Sequence, residues 1–135
     1  MSVKWMYNYS DEYDNIKLQL DLGVDVNELR KGYNLPVLFS VRDPKIAKLL
    51  INRGANVNFE CDGITPLIHF TDNENSDIVR LILETGKCTD LDKEKAIKLA
   101  LKHQKQYFTH SEIIRLIHNS SLPESLHIKP LSLFD

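Results

Sequence analysis

The 135-residue sequence holds only two cysteines, two methionines and one tryptophan. Cys61 and Cys88 allow at most one disulfide, which rules out a disulfide-built scaffold; reduced thiols are expected, since no secretory signal precedes them. Every uninterrupted apolar run is far shorter than the ~20 residues a membrane span needs, so a soluble chain without membrane attachment is expected. The start, Met1-Ser2-Val3-Lys4-Trp5-Met6-Tyr7, turns polar before a signal-peptide core could form. That points to the cytoplasm of the producing cell, or of a host if a specialised route or a virus delivers the chain. Charge of one sign is also lacking. A net charge of −2 gives no general attraction to nucleic acid.

Signatures of chemistry are missing as well. There is no glycine-rich phosphate loop, no nucleophile elbow and no His-Glu pair on a helix. Cys61 and His69 are near enough in sequence to suggest a thiol with an imidazole base, but a reactive cysteine needs a histidine held in hydrogen-bond reach. An exposed turn cysteine is the simpler reading. His103, His110 and His118 are spaced by seven and eight residues without cysteine or carboxylate partners, a pattern that fits no common zinc site. The expectation is a non-enzymatic chain with no cofactor and no metal.

What the sequence does have is repetition. Lys45-Ile46-Ala47-Lys48-Leu49-Leu50-Ile51-Asn52-Arg53-Gly54-Ala55-Asn56-Val57-Asn58 is echoed by Asp77-Ile78-Val79-Arg80-Leu81-Ile82-Leu83-Glu84-Thr85-Gly86, and by the stretch from Asp14 to Gly23-Val24-Asp25-Val26-Asn27. The glycines at 23, 54 and 86 stand 31 and 32 residues apart, a period that belongs to stacked arrays. Counting back from each glycine, apolar residues occupy positions −7, −5 and −3, with −8 and −4 added in the two better copies. That spacing paints one face of a helix, which the glycine ends by adopting positive φ. Ahead of the third such helix, Thr65 is placed to cap and Pro66 to open a short helix running to about Phe70. Ser76 or Asp77 is expected to cap the helix that follows.

Gly63-x-Thr65-Pro66-Leu67, the run Ile78 to Gly86 and Gly54-Ala55-Asn56-Val57-Asn58 together resemble the ankyrin repeat. The resemblance is fullest over 45–86, partial over 10–44 and thinnest beyond 90. It implies an all-α solenoid of about three to four helix-pair repeats with short β-hairpin-like fingers and atypical capping units. The array is expected over 1–122, with units near 1–27, 28–58, 59–90 and 91–122, followed by an extended tail at 123–135. In that family, fingers and inner helices bind other proteins.

Departures from the pattern carry expectations of their own. Pro36 to Gly54 is two residues shorter than Pro66 to Gly86, which predicts a shortened interhelical turn around Arg42-Asp43-Pro44. Ile68 stands where the family usually has histidine, and Phe70 where it has a small alanine, so looser or shifted helix packing is expected there. In the last unit a helix from Lys93 to about Lys105 should pair with one capped by Ser111, burying Ile113, Ile114, Leu116 and Ile117. Trp5, Met6, Tyr7, Tyr9 and Tyr13 are expected to cover the first end of the array. The proline-interrupted tail either packs along the last unit or presents an extended peptide.

Fingertips are not needed to bury a core, so bulky residues there are candidates for recognition. The partner-binding set is Glu28, Arg30, Lys31 and Tyr33 on the first finger, Phe59, Glu60, Cys61 and Asp62 on the second, and Arg42, Asp72 and Asn73 near the inner helix ends. Phe59 is either an aromatic anchor with a charged rim or a brace against Tyr33. The expected function is to bind and mask a protein partner, as a bacterial immunity or inhibitor protein or as a pathogen factor that captures a host protein. The alanine-poor, Lys/Ile/Asn-rich composition suits an AT-rich microbial or viral genome. The alternative is a scaffold that self-associates: Asp11, Glu12, Asp14, Asp21, Asp25 and Glu28 make the first unit acidic, while Lys87, Lys93, Lys95, Lys98, Lys102 and Lys105 make the last one basic. A monomer is favoured over this assembly. The stripe Lys95, Lys98, Lys102 and Lys105 lacks the arginines and interleaved aromatics of a nucleic-acid surface and reads as a solvated face.

Overall fold

The computed structural model describes residues 12–29, 32, 34–103 and 108–121. In chain order they form α1 (Glu12–Asp21), a 3-10 turn (Val37–Ser40), α2 (Pro44–Asn52), α3 (Pro66–Asp72), α4 (Ser76–Glu84), α5 (Asp90–His103) and α6 (Phe108–Ser120). Two layers result. α1, α2, α4 and α6 pack in succession, and the 3-10 turn, α3 and α5 make the second layer, with α3 against α4 and α5 against α6 closing the pairs. Each unit therefore covers its neighbours rather than a common centre.

The glycines end helices as the spacing predicts. After α2 the Ala55 amide donates to the Leu50 carbonyl at 2.9 Å and the Gly54 amide to Ile51 at 3.1 Å, with Gly54 at φ 94°. The same pair recurs after α1, from Val24 to Gln19 and Gly23 to Leu20, both at 3.1 Å. This is a Schellman closure. It satisfies two orphan carbonyls, and the residue after the glycine, Val24 or Ala55, is buried.

Buried side chains follow the helical spacing, with one shift. Ile46, Ala47 and Leu50 in α2, and Ile78, Val79 and Ile82 in α4, are almost fully buried. In α1 the spacing marks Leu18 as a core residue, yet it is 57% exposed, while Gln19 is buried. Gln19 holds the position of Leu50 and Ile82 facing the next unit, and its amide donates to the Asn15 side chain at 3.3 Å. Helix geometry outranks side-chain type here.

Other expectations are corrected by local geometry. Thr65 caps α3, accepting from the Ile68 amide at 3.3 Å. α4 is capped by Asn75, which accepts from the Ile78 amide at 3.2 Å, so Ser76 and Asp77 lie inside the first turn. α6 begins at Phe108, which makes Ser111 helical, and of its expected stripe Ile113 and Ile117 are buried while Ile114 and Leu116 are half-buried. α5 starts at Asp90, not Lys93, because the Thr89 hydroxyl accepts from the Asp92 amide at 3.1 Å. The two residues missing from the second unit come chiefly out of its first helix, a four-residue 3-10 turn against seven residues in α3. Trp5, Met6, Tyr7, Tyr9 and the tail at 123–135 lie outside the described residues; Tyr13, in α1, is exposed.

Asparagines tie the units together along the turns. The Asn27 side chain donates to the Gly54 carbonyl at 3.1 Å and accepts from the Asn56 amide at 2.7 Å. One unit on, the Asn58 side chain donates to the Lys87 carbonyl at 2.9 Å. Exposed ion pairs add Arg53 to Asp21 at 2.7 Å and Arg80 to Glu112 at 3.5 Å. The Arg53 guanidinium, then the Lys17 ammonium, hold the Asp21 carboxyl below its ordinary range.

Candidate partner-binding surface

The second finger is a two-residue hairpin. Cys61 and Ile64 exchange both backbone hydrogen bonds, at 3.0 and 2.9 Å, around Asp62 at φ 52° and Gly63 at φ 79°. An Asp-Gly pair with both residues left-handed is the turn whose twist matches its flanking strands. The hairpin leaves Glu60 and Asp62 exposed and Cys61 half-buried, its Sγ 3.9 Å from the Asp62 carboxylate.

Phe59, at the base of this finger, is half-buried and meets Phe39 edge-on, with ring centroids 5.9 Å apart. Phe39 in turn meets the His69 ring at 5.3 Å, and His69 meets Phe70 edge-on at 4.9 Å. A line of four rings thus runs from the finger across the first-helix layer. The two outer pairs are edge-to-face, a favoured geometry for aromatic rings, while Phe39 and His69 meet tilted at 53°. Phe59 braces on Phe39; Tyr33, the expected brace, lies outside the described residues.

Alongside the last three rings of this line a cleft of about 560 Å³ opens between the 3-10 turn and α3. Its wall includes Phe39, Arg42, His69, Phe70, Asn73 and Asn75. The short first helix of the second unit leaves this room, and Phe70, itself 2% exposed, fills the bottom where a small side chain was expected to sit. The Asn75 side chain donates to the Arg42 carbonyl at 3.1 Å, fixing the rim. Arg42 is exposed, and its guanidinium has no ion-pair partner among the described residues.

His69 is set by its surroundings. Burial lowers its pKa, opposed by a hydrogen bond to the Phe39 backbone and by the negative charge of Asp72. The neutral ring then accepts from the Asn73 side-chain amide at 3.1 Å. Its nitrogens are engaged by Asn73 and Phe39, while Cys61 faces Asp62; the thiol-imidazole pair weighed from sequence is not what these contacts build. Burial, and then the charge of Asp92, push the Cys88 thiol up to about 11, far from a nucleophile's range. Among the described residues no group of three metal-ligating side chains comes together. Neither cysteine is in a disulfide.

The candidates named from sequence thus divide. Phe59, Glu60, Cys61 and Asp62 share the second finger; Arg42 and Asn73 line the cleft, and Asp72 is exposed beside it on the last turn of α3. Glu28 is half-buried, its amide donating to the Asp25 carbonyl at 3.1 Å. Arg30, Lys31 and Tyr33 lie outside the described residues. Phe39, His69 and Asn75 were missed: nothing in their spacing marks a cleft that exists only because two neighbouring first helices differ in length. Lys95, Lys98 and Lys102 are exposed on α5, with Lys98 paired to Glu94 at 3.2 Å. Lys105 lies outside the described residues. No helix among the described residues is long and apolar enough to cross a membrane.

Aromatic faces, one guanidinium and two amides can hold a peptide side chain, but they do not assemble a nucleophile and base. Comparison with known proteins agrees on the class. The family model of ankyrin repeats in three copies matches residues 6–92 and 35–124, while no curated protein matches the sequence. With most of its length matched, the chain belongs to the ankyrin repeat family, whose members typically mediate protein-protein interaction without catalysis.

Proposed function

We propose that the chain binds one partner protein through its second finger and the adjoining cleft, and acts by masking that partner's surface. The supporting observation is one continuous stretch: the exposed finger carboxylates of Glu60 and Asp62, the half-buried rings of Phe59 and His69 joined through the buried Phe39, and at the cleft rim the Arg42 guanidinium, which has no ion-pair partner among the described residues. A guanidinium beside aromatic faces is the composition enriched at energetic centres of interfaces. The array, taken as residues 1–122 with four units, then serves as a rigid mount for this surface. An inhibitor of a cognate toxin and a factor that captures a host protein both fit, each working in the cytoplasm where its target resides.

The test is capture from source-organism and candidate-host lysates with the wild type, with a finger variant, Phe59→Ser with Glu60→Lys, and with a cleft variant, Arg42→Glu, all checked for native circular dichroism. The partner found is then titrated as a purified protein. Loss of a single partner by both variants, with a drop in affinity of tenfold or more for ~1.4 kcal/mol at a hot spot, is the expected result. Equal affinity of all three proteins would overturn the reading. Mass that grows with concentration at low salt and falls at high salt, with no partner retained, would put the self-associating scaffold in its place.

A further inference from the structure

The cleft beside α3 carries a single permanent charge. Of the described residues that line it, Arg42 alone is ionised throughout the ordinary pH range, and its guanidinium has no ion-pair partner among them. The carboxylate next to it in sequence is engaged elsewhere: Asp43 caps α2, accepting from the Lys45 amide at 2.9 Å. Most amide groups of the wall are engaged too. Asn75 gives an N–H to the Arg42 carbonyl and its side-chain oxygen to the Ile78 amide, while Asn73 gives one N–H to the His69 ring. What remains is chiefly donor capacity, the N–H groups of the Arg42 guanidinium and the second N–H of Asn73, over the buried side chains of Phe39, Val41 and Phe70. The ground around the cleft has the opposite sign. Asp72 is exposed beside it, and Glu60 and Asp62 are exposed on the finger.

We infer, on the reading that finger and cleft form one binding surface, that the partner docks a linear segment of mixed charge there. An aspartate or glutamate of that segment sits on Arg42, and a lysine or arginine lies over the Glu60 and Asp62 carboxylates. A carboxylate accepts two parallel N–H groups of a guanidinium, and within a cleft such a bond is stronger than on open surface. The spacing of the two charges follows from the rings. Phe59 at the finger and His69 at the cleft are separated by centroid steps of 5.9 and 5.3 Å through Phe39, a span that about three residues of extended chain cover at ~3.3 Å each. The bordering carboxylates disfavour a polyanion. A phosphate-rich partner or a wholly acidic segment would gain one guanidinium and meet Glu60, Asp62 and Asp72. A wholly basic segment would set a like charge against Arg42.

The experiment is selection from a displayed library of random linear peptides on the full chain, followed by titration of synthetic peptides made from the enriched sequences. The proteins are wild type, Arg42→Ala, and Glu60→Lys with Asp62→Lys, each checked for native circular dichroism. Enriched peptides should carry an acidic residue about three positions from a basic one. Replacing that acid by its amide should weaken binding to wild type about tenfold and leave binding to Arg42→Ala unchanged. Replacing the basic residue by glutamine should weaken binding to wild type and improve binding to the finger variant. Peptides that lose affinity on Arg42→Ala yet bind equally well as acid and as amide would overturn this inference and leave the binding surface standing. Peptides that bind every variant like wild type would overturn the binding surface, and the inference with it. A library from which nothing is enriched would overturn the inference alone, since it requires that a linear segment suffice.

Discussion

The Thr65 hydroxyl donates to one oxygen of the Asp92 carboxylate at 2.6 Å, joining the third unit to the fourth, while the other oxygen of Asp92 is buried without a hydrogen-bond partner among the described residues. Thr65 also caps α3, so one hydroxyl serves two contacts. Removing it by Thr65→Val loses the cap and leaves a buried carboxylate with no donor, at a cost of about 2–3 kcal/mol in urea unfolding; Thr65→Ser restores most of it. A loss below the error of the measurement would show that the bond is idle in solution.

Asp92 itself carries an unresolved cost. Burial raises its pKa, an effect that the Thr65 bond and Lys95 only oppose. For a carboxyl whose folded pKa lies above its unfolded value, the contribution to stability is fully present below the unfolded value near 3.8 and is lost as pH rises through the folded one. At pH 7 the ionised Asp92 therefore works against the fold. Asp92→Asn should raise the urea midpoint at pH 7, and the gain should shrink as pH falls toward 4. A variant less stable than wild type at both values would mean that the carboxylate has a partner worth more than its burial costs.

Asn27 bridges the first and second units with two hydrogen bonds, whereas Asn58 makes a single bond to the carbonyl of Lys87 in the turn beyond α4. Both sites are exposed, so each bond contributes about 0.5–1 kcal/mol net. Asn27→Ala should therefore cost about twice what Asn58→Ala does, and Asn27→Asp should fall between, since it keeps the acceptor for the Asn56 amide and loses the donor. Equal losses from the two alanine variants would show that the bridge is not additive across the junction.

Much of the fold could be read from the chain because glycine caps and helical spacing are local. Gly23, Gly54 and Gly86 mark three helix ends, and Thr65 with Pro66 marks a helix start, through interactions that reach no more than five residues. Asn75 was harder to see, since Ser76 and Asp77 are equally good caps by type and the choice depends on Asn75 also bonding Arg42 from another unit. Leu18 and Gln19 exchange expected roles because burial depends on which unit lies opposite. The finger residues could be listed from the repeat, but the cleft could not: it arises from a 3-10 turn facing a two-turn helix, and neither shows as a gap in its own sequence.

His69 links this cleft to pH. Its pKa is lowered from 6.5 by burial, and the groups facing it are Asp72 at the end of its own helix, Asn73 at that helix's C-cap and the Phe39 backbone from the second unit. The contribution of the neutral ring is complete above the unfolded value of 6.5 and is lost as pH falls toward the folded one. Its size stays below ~1 kcal/mol, because a half-exposed ring is screened. Protonation has a further effect on shape, turning Nε2 from an acceptor into a donor that faces the Asn73 amide N–H, so Asn73 must rotate and the cleft wall with it. Between pH 7.5 and 5.5 the wild type should lose stability that His69→Phe does not lose, and the Asn73 side-chain amide resonances should move together with the His69 ring signals. If the Asn73 signals stay fixed while His69 titrates, the hydrogen bond does not couple the histidine to the wall of the cleft.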